Sequence, residues 1–430
     1  MNSDSFSTKA TLLLLSSLTV MSGATIAPAL PSMEAHFSGG EYIDWWIRFV
    51  LTVPALFIVI SAPVAGILVD RWGRKKLLVP ALFLYSIAGS SGLYLESLGM
   101  ILAGRALLGV AVAGIMTTAT TLIADYYEGA TRAKVMGWQA AFMSFGGMIF
   151  LLGGGLLAEV SWRWPFAIYL TSLIMLPLAV WLLPTPGRSG DETGPKNTTI
   201  REVGWARLKL PLFIYSVLLI GVSMFYFVPL QLPFYLESQS GAGPLASGVA
   251  IGVSTLFGTV TSFTYGRIRA RLGYVTILSF TFGLIGAGFL VIGFTTEYFT
   301  IMSGLVFTGL GMGLLFPNLS MWLTTETPAI IRGRIVAGFT MCIFLGQFIS
   351  PMISQPVIRL AGLEVMYWST GIFLLAVASG LLIWRRAILM FTRQTGLQTD
   401  DQESAGTTSA ATGLYPHHTD KLPVKLQKEE

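Results

Sequence analysis

Apolar residues in this chain fall in long, nearly unbroken runs. Soluble strands and helices show alternating or striped patterns instead. A helix needs about 20 apolar residues to cross the hydrocarbon core of a bilayer. Twelve runs approach or reach that length, at 10–31, 45–69, 77–95, 98–124, 134–158, 164–183, 210–236, 246–268, 274–293, 298–323, 333–357 and 363–384. They predict an all-α membrane protein with twelve transmembrane helices. The first run has a lysine before it and small residues after it, as a cleaved leader would. It continues apolar to Leu30, so it is read as a span.

Two polar stretches interrupt the pattern. The segment 184–209, containing PTPGRSGDETGPKNTT, is rich in Pro, Gly, Thr and charge and reads as a loop. It divides the chain into a first unit of six spans, 1–183, and a second, 210–385. Residues 386–430 read as a disordered polar tail.

Charge orients the spans. Of the 27 Lys and Arg, all but Arg48, Arg105, Arg163 and Arg359 fall on one side of the alternating topology. Positively charged loops are retained in the cytoplasm, so both termini are expected there, in a bacterial inner membrane. The formal net charge of +5 is therefore a topology signal, and no nucleic-acid partner is expected. Composition agrees: 53% of residues are hydrophobic and 11% charged, against about 25% charged in a soluble domain.

The two sets of spans repeat at an offset of 200 residues. Gly66, Arg71 and Gly73 align with Gly266, Arg271 and Gly273, and Gly109 with Gly309. Arg132 and Lys134 align with Arg332 and Arg334, and Gly146 with Gly346. Two similar six-helix bundles follow, with a site expected between them near the midplane. The 47 glycines, many within spans, allow the close backbone approach on which helix packing in lipid depends.

Enzymatic chemistry is scarce. Cys342 is alone, and the histidines are His36, His417 and His418. No HExxH, GxSxG, paired-Asp or zinc constellation lies within the spans, so no enzyme, metal or cofactor is expected.

The densest motif is Gly66-Ile-Leu-Val-Asp70-Arg71-Trp72-Gly73-Arg74-Lys75-Lys76, at the basic end of the second span. Gly66 permits close helix contact and Gly73 a tight turn. Asp70 suits a helix N-terminus or a basic partner, and Arg74, Lys75 and Lys76 suit anionic headgroups. The stretch resembles the loop 2–3 signature of the major facilitator superfamily, G-x-L-x-D-R-x-G-R-[KR]-[KR], at every defined position. The resemblance implies a twelve-helix transporter acting as a monomer. It also implies a latch in which Asp70 holds the halves together on the cytoplasmic side, through span eleven and arginines such as Arg132.

Arg105, in Ile101-Leu-Ala-Gly-Arg105-Ala-Leu-Leu-Gly109, lies about 12 Å inside the fourth span. An arginine at that depth is costly and marks a functional site, unless backbone carbonyls of the first span hold it. Its spacing is similar to the span-four motif of proton-coupled drug exporters, l-x-x-x-R-x-x-q-G, with Leu at 108 in place of Gln. The resemblance assigns the arginine to proton coupling. The span-five motif of that branch, g-x-x-x-G-P-x-x-G-G, is matched only in its terminal glycines, because Phe150-Leu151 replaces Gly-Pro.

By the same resemblance, a cavity lined by spans 1, 4, 7 and 10 would hold the substrate. The candidates are Met21, Thr25, Met116, Phe225, Tyr226, Gln231, Met312, Phe316, Asn318 and Gln347. With 17 Met and 12% aromatic residues, a soft, polarizable surface for hydrophobic or amphipathic solutes is expected. Carboxylates avoid the span centres. Asp44 and Arg48, at i and i+4, suggest a helix-surface pair, and Glu34 or Asp70 remains as proton carrier. The leading expectation is proton-driven efflux of varied small molecules. The rivals are a dedicated carrier of one metabolite, such as a siderophore or organic anion, and a non-transporting receptor or scaffold.

Overall fold

The computed structural model describes residues 5–184 and 208–393, so the central loop and most of the tail lie outside the described residues. Lipid offers the backbone no hydrogen-bonding partner, so each crossing must satisfy its own amides, and the chain is helical throughout its spans. In order these are α1 (Phe6–His36), α2 (Ile43–Trp72), α3 (Arg74–Tyr94), α4 (Leu98–Tyr126), α5 (Gly129–Ala158) and α6 (Trp164–Leu182). Then follow α7 (Lys209–Ser240), α8 (Pro244–Arg269), α9 (Tyr274–Gly293) and α10 (Tyr298–Glu326).

The last stretch, Ala329–Ile383, is continuous by hydrogen bonding, yet its 55 residues would extend about 80 Å, far more than one bilayer core. The chain turns inside it at Gly362, with φ +92° and ψ 171°, a conformation that glycine adopts without a Cβ penalty. Contacts confirm the reversal. Tyr215 donates to the Ile335 carbonyl and Ser279 to that of Ala378, so 335 and 378 both lie toward the basic loops. Arg359 instead reaches Asp44 at the opposite face. The stretch is thus two antiparallel helices, α11 (329–361) and α12 (363–383), which brings eleven membrane-capable segments to twelve spans. A short basic amphipathic helix, α13 (Arg385–Arg393), follows.

Several spans are jointed where proline removes a backbone donor. In α1 the helix Phe6–Ala24 gives way to a 3₁₀ turn at Ala27–Ala29 carrying Pro28, then resumes at Leu30–His36. The α7 path breaks between Lys209–Phe225 and Phe227–Ser240, at Tyr226.

The helices sort into two groups. In the first, α2 and α3 pack on α4, α1 on α5, and α3 on α6; in the second, α8 and α9 pack on α10, α9 on α12, and α7 on α11. The repeat is visible at atomic level. A Cβ at Gly109 would stand 2.4 Å from the Pro54 carbonyl, and one at Gly309 would stand 2.2 Å from that of Ser254. Likewise Gly104 faces Ala88 and Ser91, and Gly304 faces Gly288 and Val291. Each pair of partners is related by the same 200-residue offset. The groups meet along α5–α8 and α2–α11.

Candidate functional site

Arg105 is fully buried in α4, and the sequence explains what holds it. Pro54 has no N–H, so the Val50 carbonyl one turn earlier lacks its helical donor; Arg105 Nε supplies one at 2.9 Å. Ser22 lies just before the joint in α1, and its carbonyl takes Arg105 Nη2 at 2.5 Å. The guanidinium also lies 5.1 Å from the Tyr169 ring. The carbonyl-held alternative for Arg105 therefore describes its geometry, with α2 joining α1. Nη1 is buried with no hydrogen-bond partner among the described residues.

A second arginine, Arg48 on α2, is 4% exposed and joins three helices at the face opposite the basic loops. Its Nη1 donates to Glu34 Oε2 at 2.5 Å and to the Asp44 carbonyl at 2.9 Å. Its Nε donates to Gln231 Oε1 at 3.0 Å, and Gln231 Nε2 donates to Ser354 Oγ at 2.9 Å. The guanidinium stacks 3.8 Å from the Phe234 ring. The chain of contacts runs from α1 through α2 and α7 to α11 and so links the two groups. Beside it, Arg359 grips both Asp44 oxygens, at 2.5 and 2.8 Å. Phe49 stacks on Phe348, ring centroids 5.8 Å apart. The Asp44–Arg48 side-chain pair expected from spacing does not form. Arg48 takes the Asp44 carbonyl, and the carboxylate turns to Arg359 because that partner completes a two-pronged fork.

A glycine seam completes this closed face. A Cβ on Gly155 would meet the Pro244 carbonyl at 2.9 Å, and one on Gly248 would meet the Leu151 carbonyl at 2.9 Å. The Glu159 carboxylate accepts the Leu245 amide at the start of α8, at 2.9 Å, where the helix dipole favours it.

The basic face differs. Gly66 and Gly266 have nothing within 4 Å of a would-be Cβ. Asp70 and Arg71 are exposed, and so is Arg132. Among the described residues the Asp70 side chain makes no hydrogen bond or ion pair, so the latch that the resemblance implies is not formed in this conformation. The rest of the loop is anchored within the first group. Gly73 turns with φ +92°, Arg74 pairs with Asp125 at 2.8 Å, and Lys75 reaches the Val180 carbonyl at 3.0 Å.

The cavity candidates divide. Met116, Phe225, Phe316 and Gln347 are half-buried, as lining groups would be. Tyr226 and Met312 are each 9% exposed, and Tyr226 touches Gly23 across the two groups. Met21 is fully buried, and Thr25 is buried with its hydroxyl returned to the Met21 carbonyl. Asn318 is buried with its amide on the Tyr274 carbonyl, so it fastens α10 to α9. Gln231 belongs to the closed face. Those four are packing or closure residues here. Gln355 and Arg359 escaped the sequence reading as partners of Asp44. Their signal was that Arg48 and Arg359 are among the few cations off the basic side.

Residues 12–351 and 233–410 match the family model for the Major Facilitator Superfamily. The chain belongs to that superfamily. Among curated relatives, Multidrug resistance protein 1 of Bacillus subtilis (strain 168) is 28% identical over 240 residues, 53% of this chain and 59% of that protein. The alignment thus spans less than two thirds of that relative. The Bacillibactin exporter of the same organism is 26% identical over 345 residues, 77% of this chain and 85% of that one. The inward-open structure of the xylose transporter XylE from E. coli superposes with a TM-score of 0.69 at 16% identity, covering 88% of this chain and 95% of that one. This last likeness concerns the fold. The superfamily fold has two pseudo-symmetric bundles of six helices, as described above.

The ion pair at the closed face gives a first test. Asp44→Asn should favour the state open at that face by a factor of about 1.4 to 5, since a partly exposed pair contributes about 0.2–1 kcal/mol. In a Cys342→Ser background, a cysteine placed at Phe348 should react correspondingly faster with an impermeant maleimide. Equal labelling rates with and without Asp44→Asn would mean that the pair holds nothing closed.

Proposed function

We propose that this chain is a secondary transporter that exports hydrophobic or amphipathic small molecules, driven by the proton gradient. Its basic face and both termini lie in the cytoplasm of a bacterial inner membrane, and it works as a monomer. It needs no cofactor and uses its substrate and the bilayer as partners. The observation that carries the reading is the unequal closure of the two faces. An arginine-centred network and a glycine seam shut the far face, while Asp70 of the signature loop stands exposed and unpartnered. This is what one end-state of an alternating-access cycle requires. Asp70 then engages the second bundle only when the cytoplasmic side closes. The name of the Bacillus multidrug relative supports a broad substrate range. The half-buried Met116, Phe225 and Phe316 suit such solutes.

Proton coupling has a candidate in Glu34, which is one-third exposed and bound to Arg48. Efflux of a preloaded lipophilic dye from cells making the protein should fall to the background rate when an uncoupler collapses the gradient. Uncoupler-insensitive efflux would remove the proton from the reading.

A dedicated exporter of one anionic metabolite is the second reading. The Bacillibactin exporter aligns over a larger share of both chains than the multidrug protein does. A panel of dyes that all fail to be expelled, beside one metabolite that is, would favour it.

A further inference from the structure

We propose that Arg105 and Tyr226 form a seat for an anionic group, a carboxylate or its like, carried by the transported molecule. The proposal rests on the transport reading above and adds the substrate's charge to it.

The first observation is an imbalance of charge. Arg105 is fully buried, and its two bonded nitrogens rest on neutral carbonyls. A buried cation is normally paired with a carboxylate. Among the described residues, every Asp and Glu lies at or near a helix end: Glu34, Asp44, Glu159, Glu237, Glu297 and Glu364 toward the far face, with Glu41 and Glu96 in its loops, and Asp70, Asp125, Glu128 and Glu326 toward the basic face. The middle of α1, the helix that Arg105 touches, reads Leu18-Thr-Val-Met-Ser-Gly23 and offers no acid. None of the described residues supplies the counter-anion.

The second observation is unused hydrogen-bonding capacity at that spot. A guanidinium carries five N–H groups in a fixed fork. Nε and Nη2 occupy one edge of the fork, and Nη1 on the other edge has no acceptor. Two tyrosine hydroxyls close by are weakly engaged. Tyr226 reaches the Gly23 carbonyl at 3.4 Å; Tyr169 reaches those of Met21 and Ser22 at 3.4 and 3.3 Å. By contrast the neighbouring Tyr85 is firmly held at 2.7 Å by the Leu18 carbonyl. The slack donors gather around the successive carbonyls of residues 21–23, where α1 approaches its joint.

The third observation is position. Tyr226 comes from the second bundle, at the break in α7, while Arg105 and Tyr169 come from the first. A Cβ on Gly23 would sit 3.0 Å from the Tyr226 hydroxyl, so only a small residue at 23 lets the hydroxyl approach this backbone. The seat therefore spans the boundary between the bundles. An anion bound there accepts from Arg105 Nη1 on one side and from Tyr226 on the other, and its charge neutralises the buried guanidinium. Charge-assisted bonds of this kind are short and strong, and their strength depends on the bundles' separation.

Purified protein tests this without transport. Isothermal titration with 1-naphthoate and with neutral 1-naphthamide compares the same ring with and without the charge. Naphthoate should bind at least about tenfold tighter. Tyr226→Phe, which keeps the ring packing, should weaken naphthoate about threefold to tenfold and naphthamide distinctly less, because the neutral amide gains no charge-assisted bond. Arg105→Lys keeps the charge but loses the fork, and should weaken naphthoate more strongly still. Equal affinities for the two probes overturn the proposal, and so does naphthoate binding that ignores Tyr226→Phe. If Arg105→Lys does not fold, those two comparisons decide. Uncoupler-sensitive dye efflux together with no preference for naphthoate would leave the transport reading standing and remove this one.

Discussion

Arg105→Ala is expected to abolish efflux while leaving a measurably less stable protein. Two effects act together. The Val50 carbonyl loses the side-chain donor it has among the described residues, and the Ser22 carbonyl loses the shorter of its two there, with Tyr169 remaining at 3.3 Å. A buried polar group left unsatisfied costs about 1–3 kcal/mol. Val50 cannot be rescued by its own helix, because Pro54 has no N–H to offer. The second effect is functional: the cation that spans the approach between α1, α2 and α4 is gone. Dye efflux should fall at least about tenfold, and the thermal unfolding midpoint in detergent should drop by several degrees. Wild-type efflux by a folded Arg105→Ala protein would show that the arginine is only a brace and that another group carries the work.

The largest structural effect is expected at Gly154. A Cβ there would lie 2.0 Å from the Thr25 carbonyl oxygen. The clash is backbone against side chain at the joint of α1, so no rotamer change relieves it. Gly154→Ala must push α5 away from α1 along the surface that carries the seat. Overpacking costs about 1–3 kcal/mol in soluble cores, and this contact belongs at or above the upper end. Gly137, on the same helix, has nothing within 4 Å of its would-be Cβ. Gly137→Ala should therefore match the wild type. The yield of monodisperse protein and the unfolding midpoint in detergent would separate the two; equal behaviour would mean that α1 and α5 can part freely.

Much of this architecture is legible in the chain because lipid imposes simple rules. Uninterrupted apolar length marked the spans, including the pair that hydrogen bonding alone would fuse through Gly362. The offset of 200 that relates Gly109 to Gly309 is also the offset between their backbone partners, Pro54 and Ser254. Asp70's loop carried the family. The site was less legible because its geometry depends on which carbonyls are free. Pro54 could have pointed to Val50, since the missing donor is a local fact of sequence. No local rule connects Val50 to Arg105, 55 positions away. Asp44 illustrates the same limit. Spacing along one helix offered Arg48, but the fold brought Arg359 from 315 positions away. Asn318 and Thr25 were placed in the cavity by span number alone. A helix has several faces, and theirs turn to neighbouring helices or back to their own turn.

The closed face is held by two kinds of contact that respond differently to the medium. The Asp44–Arg359 pair is partly exposed, with side chains 25% and 40% accessible, so dissolved ions weaken it. The seam where Gly155 meets Gly248 is close backbone packing that screening does not reach, and Arg48 is sunk between Gln231 and Phe234 with only its Glu34 partner one-third accessible, so screening touches that network less. Higher ionic strength at that face would leave the greater part of this barrier in place and loosen only its outermost clasp.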